Sequence, residues 1–415
     1  MSKNGKIIII GGGASGLAAA LAAAKECGGR CVTVLERLDR VGKKLLATGN
    51  GRCNLTNRNA APEHYHSADT ARLADILERT PPDAVLDFFG EMGLLCDTQA
   101  DGRVYPYCYQ ASMVLDVLRA ALERAGVDVA CSCEVAEVEK GPGGFSVRTR
   151  DGRAFSAARV VLAAGGQAGP QFGTDGFGTR FAADCGGQMR PLYPCLTALQ
   201  CAKPNKSLAG IRAKAAARLL DGDRVLAEEI GEVQFTDYGL SGICIMQLSG
   251  LLAPGCSPKH PAVELDLFPA VPETALAALF AARAPLLAED TAAAFWLGLL
   301  HGKLGRALWA AAALPDTAPH ALPADSWQKL ARTAKHWRFE GLTPCGWRQA
   351  QTTGGGLALT EVEPTFQFKG CPGLYFVGET LDCAGSCGGF NLHWAFGSGL
   401  AAGRDAAKHL CSRKR

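Results

Sequence analysis

Gly11, Gly13 and Gly16 stand in the spacing G-x-G-x-x-G, and Glu36 follows 20 residues beyond the last of them. Each position answers a need of pyrophosphate binding. The first glycine permits a tight turn, the second lets an anion lie against bare backbone at the positive end of a helix, and the third lets that helix pack closely on its strand. A carboxylate at Glu36 would then accept from a ribose hydroxyl. A second set of donors comes soon after. Lys43, Lys44 and Arg52 lie in "RVGKKLLATGNGRCNLTN", residues 40–57, where glycines alternate with asparagines from Gly49 to Asn54. That texture suits close backbone approach to something anionic or planar, and the motif alone leaves open which dinucleotide it serves.

Near the other end, "GETLDCAGSCGGFNLHW", residues 378–394, places Cys383 and Cys387 four apart in a glycine-rich loop that opens a helix. A dithiol exchanging electrons normally has closer C-x-x-C spacing, with one thiol acidified at a helix start. Cys387 does precede the helix, but Cys383 lies back across Gly385. Both are therefore expected to be small loop residues, with Gly388 and Gly389 keeping side chains away from the helix amides. His393, Tyr238 and Arg348 are the acid–base candidates, each expected to be structural, as is His301. No metal site is expected, since C-x-x-C and H-E-x-x-H are absent.

These residues need elements to hold them. "KIIII" reads as a buried parallel strand, "GGGASG" as the turn, "ASGLAAALAAAKECGG" as a helix ending at a glycine, and "CVTVLE" as a second strand ended by Glu36, itself expected to be exposed. The uncharged run 7–24 has the outline of a secretory signal, but three glycines in its middle would cost such a helix about 1 kcal/mol each. Strands "EVAEVEK" and "FSVRTR", a "GPGG" hairpin and "ARVVLAAGG" then return the chain to the nucleotide-binding sheet. From residue 191 the texture changes: it is β-rich to about 268 and alanine- and leucine-rich, hence helical, over about 270–333. "CPGLYFVGE" then resumes the first domain. The expected organisation is 1–190 and 344–415 as one nucleotide-binding domain, with 191–343 inserted as a substrate or cap domain.

The 415 residues carry a net charge of +3 spread along the chain, with no basic run, so neither nucleic acid nor a membrane surface is an expected partner. Seventeen scattered cysteines in so large a chain read as reduced thiols of a cytoplasmic protein. A small-molecule substrate is the expectation; the oligomeric state is left open.

The blocks "GGGASGLAAA", "RVGKKLLATGNGRCNLTN", "GRVYP", "FTDYGLSG", "AQTTGGG" and "GLYFVGETLDCAGSCGGFNLHWAFGSG" span nearly the whole chain. Together they resemble the bacterial NAD(P)/FAD-dependent oxidoreductase family of the BaiN type, also labelled aminoacetone oxidase-like. The resemblance implies an α/β, Rossmann-like two-dinucleotide-binding-domain flavoprotein with an inserted β-barrel-like plus helical domain. It implies FAD as cofactor and NAD(P)H as transient reductant. By the same resemblance Gly11, Gly13, Ala14, Ser15, Gly16, Glu36 and Arg37 hold the ADP part, and Val135, Ala164 and Gly165 line the cofactor. Lys43, Lys44 and the backbone of Gly51, Arg52, Cys53 and Asn54 reach toward the flavin. Gly378 and Glu379 lie near the pyrophosphate or ribityl chain. Gly388, Gly389, Phe390, Asn391 and Leu392 face the pyrimidine edge, where helix amides stabilise the charge of reduced flavin, and Cys387 would touch the ring.

Three departures from the family pattern bear on the substrate side. Cys383 and Ser386 stand where acidic residues are usual, Phe390 and His393 where tyrosine and glutamine are usual, and "TTGGG" where "VTAGGV" is common. The expected function is hydride transfer between flavin and an organic small molecule. The alternatives are an oxygen-using oxidase of an amine-like donor and a non-catalytic redox sensor.

Overall fold

In a computed structural model, which describes residues 5–255, 258–287 and 294–411, the chain separates into two compact units. One comprises residues 1–194 and 351–415, the other 195–350.

The first unit is organised by a five-stranded parallel sheet. Its strands are β1 (Ile7–Ile10), β2 (Val32–Leu35), β3 (Asp128–Ala130), β4 (Arg159–Leu162) and β5 (Leu374–Phe376), in the order β5-β4-β1-β2-β3. Ile7 pairs with both Val32 and Arg159, which puts β1 in the middle. All four isoleucines of β1 are buried, as expected of a strand covered on both faces. Helix α1 (Ala14–Cys27) follows β1 and ends at Gly28, whose φ of +85° only glycine adopts readily. Its alanines are there for close packing. Helix α2 (Ala111–Ala125) leads into β3, and the long α3 (Phe390–Cys411) follows β5. Helix α3 presses on α1 so closely that side chains at Gly399 and Gly403 would overlap the carbonyl oxygens of Ser15 and Ala19.

Three antiparallel strands, Val135–Gly141, Gly144–Thr149 and Ala154–Ala157, form the meander that returns the chain to β4. Small antiparallel pairings lie near the start of α3. Thr56–Asn57 pairs with Arg103–Pro106, and Tyr65–His66 pairs with Ala384–Gly385.

The second unit has a seven-stranded sheet whose described neighbours are antiparallel. Its order is Trp337–Glu340, Pro261–Asp266, Arg212–Asp221, Arg224–Phe235, Gly239–Ser241, Leu199–Gln200, Thr343–Pro344. Helices Glu273–Arg283, Gly302–Ala311 and Asp325–Lys335 supply much of its core, where Phe280, Phe295, Trp296, Trp309 and Trp327 pack together. Residues 288–293 of the expected helical stretch lie outside the described residues. His301 caps the helix Gly302–Ala311, its Nδ1 accepting from Lys303 N at 3.2 Å, which is the structural role expected of it.

Candidate cofactor and active site

The turn between β1 and α1 shows why three glycines stand there. Gly11 has φ +107°, and a side chain on it would overlap the Ala163 carbonyl and crowd Ala164. One on Gly16 would overlap the carbonyl of Gly11. Gly13 differs. Its φ of −83° suits any residue, and among the described residues nothing beyond its chain neighbours lies within 4 Å of where a Cβ would sit. No side chain caps α1, so its first-turn amides keep hydrogen-bonding capacity beside that open space. A bare backbone, uncapped amides and room for a group is what an anion of the pyrophosphate type requires.

Glu36 corrects one expectation. Its carboxylate is buried, with 8% of the residue exposed. Oε2 accepts from Gly12 N at 2.7 Å and Oε1 from Leu38 N at 2.8 Å. The glutamate therefore ties the glycine turn to the end of β2, and the loops around it close over the strand-end position that a pattern reading leaves bare. Arg37 pairs with Asp175 at 3.3 Å and with Glu134 at 3.7 Å. Val135 begins its strand two residues past Cys133, whose N donates to Glu36 O at 2.8 Å.

The basic segment divides. Lys43 turns to Asp39 at 2.6 Å, near the surface, whereas Lys44 meets Glu379 Oε1 at 2.5 Å and donates to Ala168 O at 3.1 Å. Gly51 and Arg52 are exposed. Cys53 takes φ +58° and is fully buried, which pushes its thiol up to about 12. Asn54 is buried, and its Oδ1 has no hydrogen-bond partner among the described residues.

The start of α3 is bound on several sides. Gly388 and Gly389 have φ +130° and +100°; a Cβ on Gly389 would lie 2.5 Å from Thr56 O and 2.7 Å from Asn54 Oδ1. Asn57 Nδ2 donates to Gly388 O at 2.9 Å, and Thr56 Oγ1 lies 2.9 Å from His393 Nδ1. Asn391 bonds Gly385 twice, through N at 2.8 Å and O at 2.6 Å. Phe390 stacks on His64 at 4.4 Å, and Tyr65 Oη donates to its carbonyl at 3.2 Å. Leu392 packs against the core. Thr56, Asn57, His64 and Tyr65 are the contributors that pattern reading missed. Of these, Thr56 and Asn57 lay within the quoted "GRCNLTN" block but gave no signal of pairing with residues over 300 positions away.

No disulfide joins Cys383 and Cys387. Cys383 is buried, which holds its thiol well above the usual range and keeps it protonated at neutral pH. Cys383→Ser and Cys387→Ser, alone or together, are expected to keep turnover within about tenfold, a barrier change of ~1.4 kcal/mol. Anaerobic titration of the wild type should consume two electrons per flavin; four, falling to two in the double variant with turnover lost, would establish a redox-active pair.

His393 is almost fully buried, which pushes its imidazole down to about 4 and leaves it neutral at physiological pH. The unfolded chain then binds a proton that the folded chain refuses. Stability is expected to fall as pH drops from 6.5 toward 4, by up to about 3 kcal/mol from this group. His66 and Asp382 are also shifted by burial, so the measurement compares urea midpoints of wild type and His393→Gln across that range. Identical pH slopes would remove His393 as the cause.

The structure brings Gly11–Gly16, Glu36, Ala164, Gly165, Lys44, Gly378 and Glu379 to the carboxyl edge of the parallel sheet. Gly378 reaches the first turn of α1, with its Cβ position 2.9 Å from Ser15 Oγ. Tyr238 and Arg348 belong to the second unit, and burial pushes the Tyr238 phenol up.

Similarity to known proteins bears on this arrangement. The description "HI0933-like protein Rossmann domain" matches residues 5–405. The chain is 37% identical over 407 residues to the 3-dehydro-bile acid delta(4,6)-reductase of Clostridium scindens, covering 97% of this chain and 99% of that one. It is 29% identical over 405 residues to the ribosomal RNA dihydrouridine synthase of Escherichia coli, covering 96% and 97%. Among solved structures, the 3-ketosteroid-delta4-(5alpha)-dehydrogenase of Rhodococcus jostii shares the fold with a TM-score of 0.52 at 16% identity, over 97% of this chain and 96% of that one.

Proposed function

The chain belongs to the HI0933-like Rossmann family and is an FAD-dependent oxidoreductase, and from that premise we propose that it reduces a carbon–carbon double bond conjugated to a carbonyl in a small molecule. The observation that carries this reading is the full-length relationship to a reductase named for saturating such bonds in a bile acid. When bound, FAD would supply the hydride chemistry. NAD(P)H is the proposed reductant of the flavin.

The chain's own residues would divide the work. The glycine turn, with Glu36 behind it, seats the pyrophosphate and ribose. Gly389 lets the start of α3 pack against Thr56 and Asn54, and the amides of that start would be the donors for negative charge at the pyrimidine edge if the cofactor lies there. The ties from Thr56, Asn57 and Tyr65 would hold that helix start in place against the bound cofactor. Residues 195–350 are proposed to shape substrate access.

A second reading rests on the dihydrouridine synthase relative, since dihydrouridine is uridine whose ring double bond, also conjugated to a carbonyl, has been saturated. The net charge of +3 without a basic run favours the small molecule, because RNA binding draws much of its affinity from phosphate neutralisation. The test supplies NADH or NADPH anaerobically with either a 3-oxo-diene steroid acid or uridine-containing RNA. Reduction of the steroid-type substrate alone is expected. Reduction of RNA alone would favour the second reading, and stoichiometric peroxide in air with an amine donor would replace both with an oxidase.

A further inference from the structure

We propose that Lys44 and Glu379 form a strap across the cofactor groove that sets how fast FAD leaves the protein. The proposal rests on the reading that the carboxyl edge of the parallel sheet holds FAD, and it concerns retention rather than the bond being reduced.

Lys44 lies in the short helix Lys43–Ala47 after β2, and Glu379 in the turn Gly378–Thr380 after β5. Strands β2 and β5 are separated by β4 and β1, a distance of roughly 14 Å at ordinary strand spacing. The two side chains nevertheless meet at 2.5 Å. Each arm is also seated on the β1–α1 turn. Gly42 N donates to Gly12 O at 2.8 Å on one side, and on the other Gly378 lies so near that a Cβ on it would come 2.9 Å from Ser15 Oγ. The backbone from Gly12 to Ser15, the two arms and the ion pair thus close a ring. Inside the span of that ring stands Gly13, with open space where a side chain would be.

Both ends of the pair are aimed from a third side. Ala168 O accepts from Lys44 Nζ at 3.1 Å, and Thr353 N donates to Glu379 Oε2 at 3.3 Å. Thr353 Oγ1 in turn accepts from Gln167 N at 2.8 Å and Ala168 N at 3.0 Å. The two side chains are 24% and 20% exposed, so their attraction is less screened than that of a surface pair. A dinucleotide lying along α1's first turn must pass this closure to escape. Because the partners neutralise each other, the strap acts as a mechanical closure more than as a source of charge for phosphate.

A strap has a signature that two independent ligand contacts lack. Opening it from either end has the same result, so the effects of removing each end do not multiply. The test measures FAD release from the wild-type holoprotein, Lys44→Met, Glu379→Gln and the double variant, by recovery of flavin fluorescence after rapid dilution. Each single variant is expected to release FAD about tenfold faster, a change of ~1.4 kcal/mol, and the double variant no more than about threefold beyond either. Lys44→Arg and Glu379→Asp, which keep the charges, should fall between wild type and the neutral variants. Thermal midpoints of the apoproteins verify that each chain folds. Release within twofold of wild type in both neutral variants overturns the strap, as does a double variant about 100-fold faster, the product expected of separate contacts. A wild-type protein that holds no FAD overturns the cofactor reading and the strap together.

Discussion

Gly13→Ala is expected to weaken FAD binding at least about 100-fold, or roughly 2.7 kcal/mol, while the apoprotein keeps its stability within about 1 kcal/mol. The two halves of that result have one cause. Gly13 takes an ordinary φ of −83°, and a Cβ there meets no atom of the described residues beyond its chain neighbours within 4 Å, so the fold has no reason to resist a methyl group. The only tenant that the methyl would displace is one lying against the backbone at the start of α1. Gly16→Ala is the contrasting control, because its Cβ would overlap the Gly11 carbonyl and the apoprotein itself should fail. FAD titration with thermal melts of the apoproteins decides the matter. Unchanged affinity in Gly13→Ala would mean that no pyrophosphate lies there.

Glu36→Ala is expected to damage the protein before any cofactor is added. Its two oxygens accept from the amides of Gly12 and Leu38, and the residue is 8% exposed. Hydrogen bonds to a charged group contribute about 1.5–3 kcal/mol each, so losing both would cost about 3–6 kcal/mol. Glu36→Gln keeps one acceptor oxygen and should fall between the two. The comparison is of apoprotein unfolding midpoints in urea, followed by FAD titration of whatever remains folded. An alanine variant as stable as wild type would show that those amides find other partners, and would leave Glu36 with a ligand role alone.

The sequence made the nucleotide-binding end legible because its constraints are local. A strand, a glycine turn, a helix and a second strand fall within forty consecutive residues, and each residue type has a steric reason visible in isolation. Glu36 shows the limit of that reading. Its position at a strand end is local information, but its burial depends on Leu38 and the Gly12 amide folding back over it. The same holds at the start of α3. Gly389 signals a close approach, whereas what approaches it, Thr56 O and Asn54 Oδ1, lies more than 300 residues earlier. His393 could be recognised as a departure from the family pattern. That it is neutral and bonded to Thr56 follows only from burial at the crossing of two distant segments. Lys43 and Lys44 are adjacent and chemically identical, so no pattern distinguishes the one paired with Asp39 from the one that reaches Glu379.

The most direct test of the account is a single-turnover experiment without oxygen. The purified protein is reduced with one equivalent of dithionite per flavin, freed of excess reductant, and mixed with a steroid acid carrying a double bond conjugated to a 3-oxo group. Flavin absorbance is followed through the reaction, and a steroid whose only double bond is isolated from any carbonyl serves as the comparison. The flavin chromophore is expected to be FAD, one equivalent of the conjugated compound is expected to restore its oxidised spectrum with saturation of one double bond, and the isolated alkene is expected to leave it reduced. A protein purified without flavin, or a reduced flavin that only oxygen can reoxidise, would contradict it.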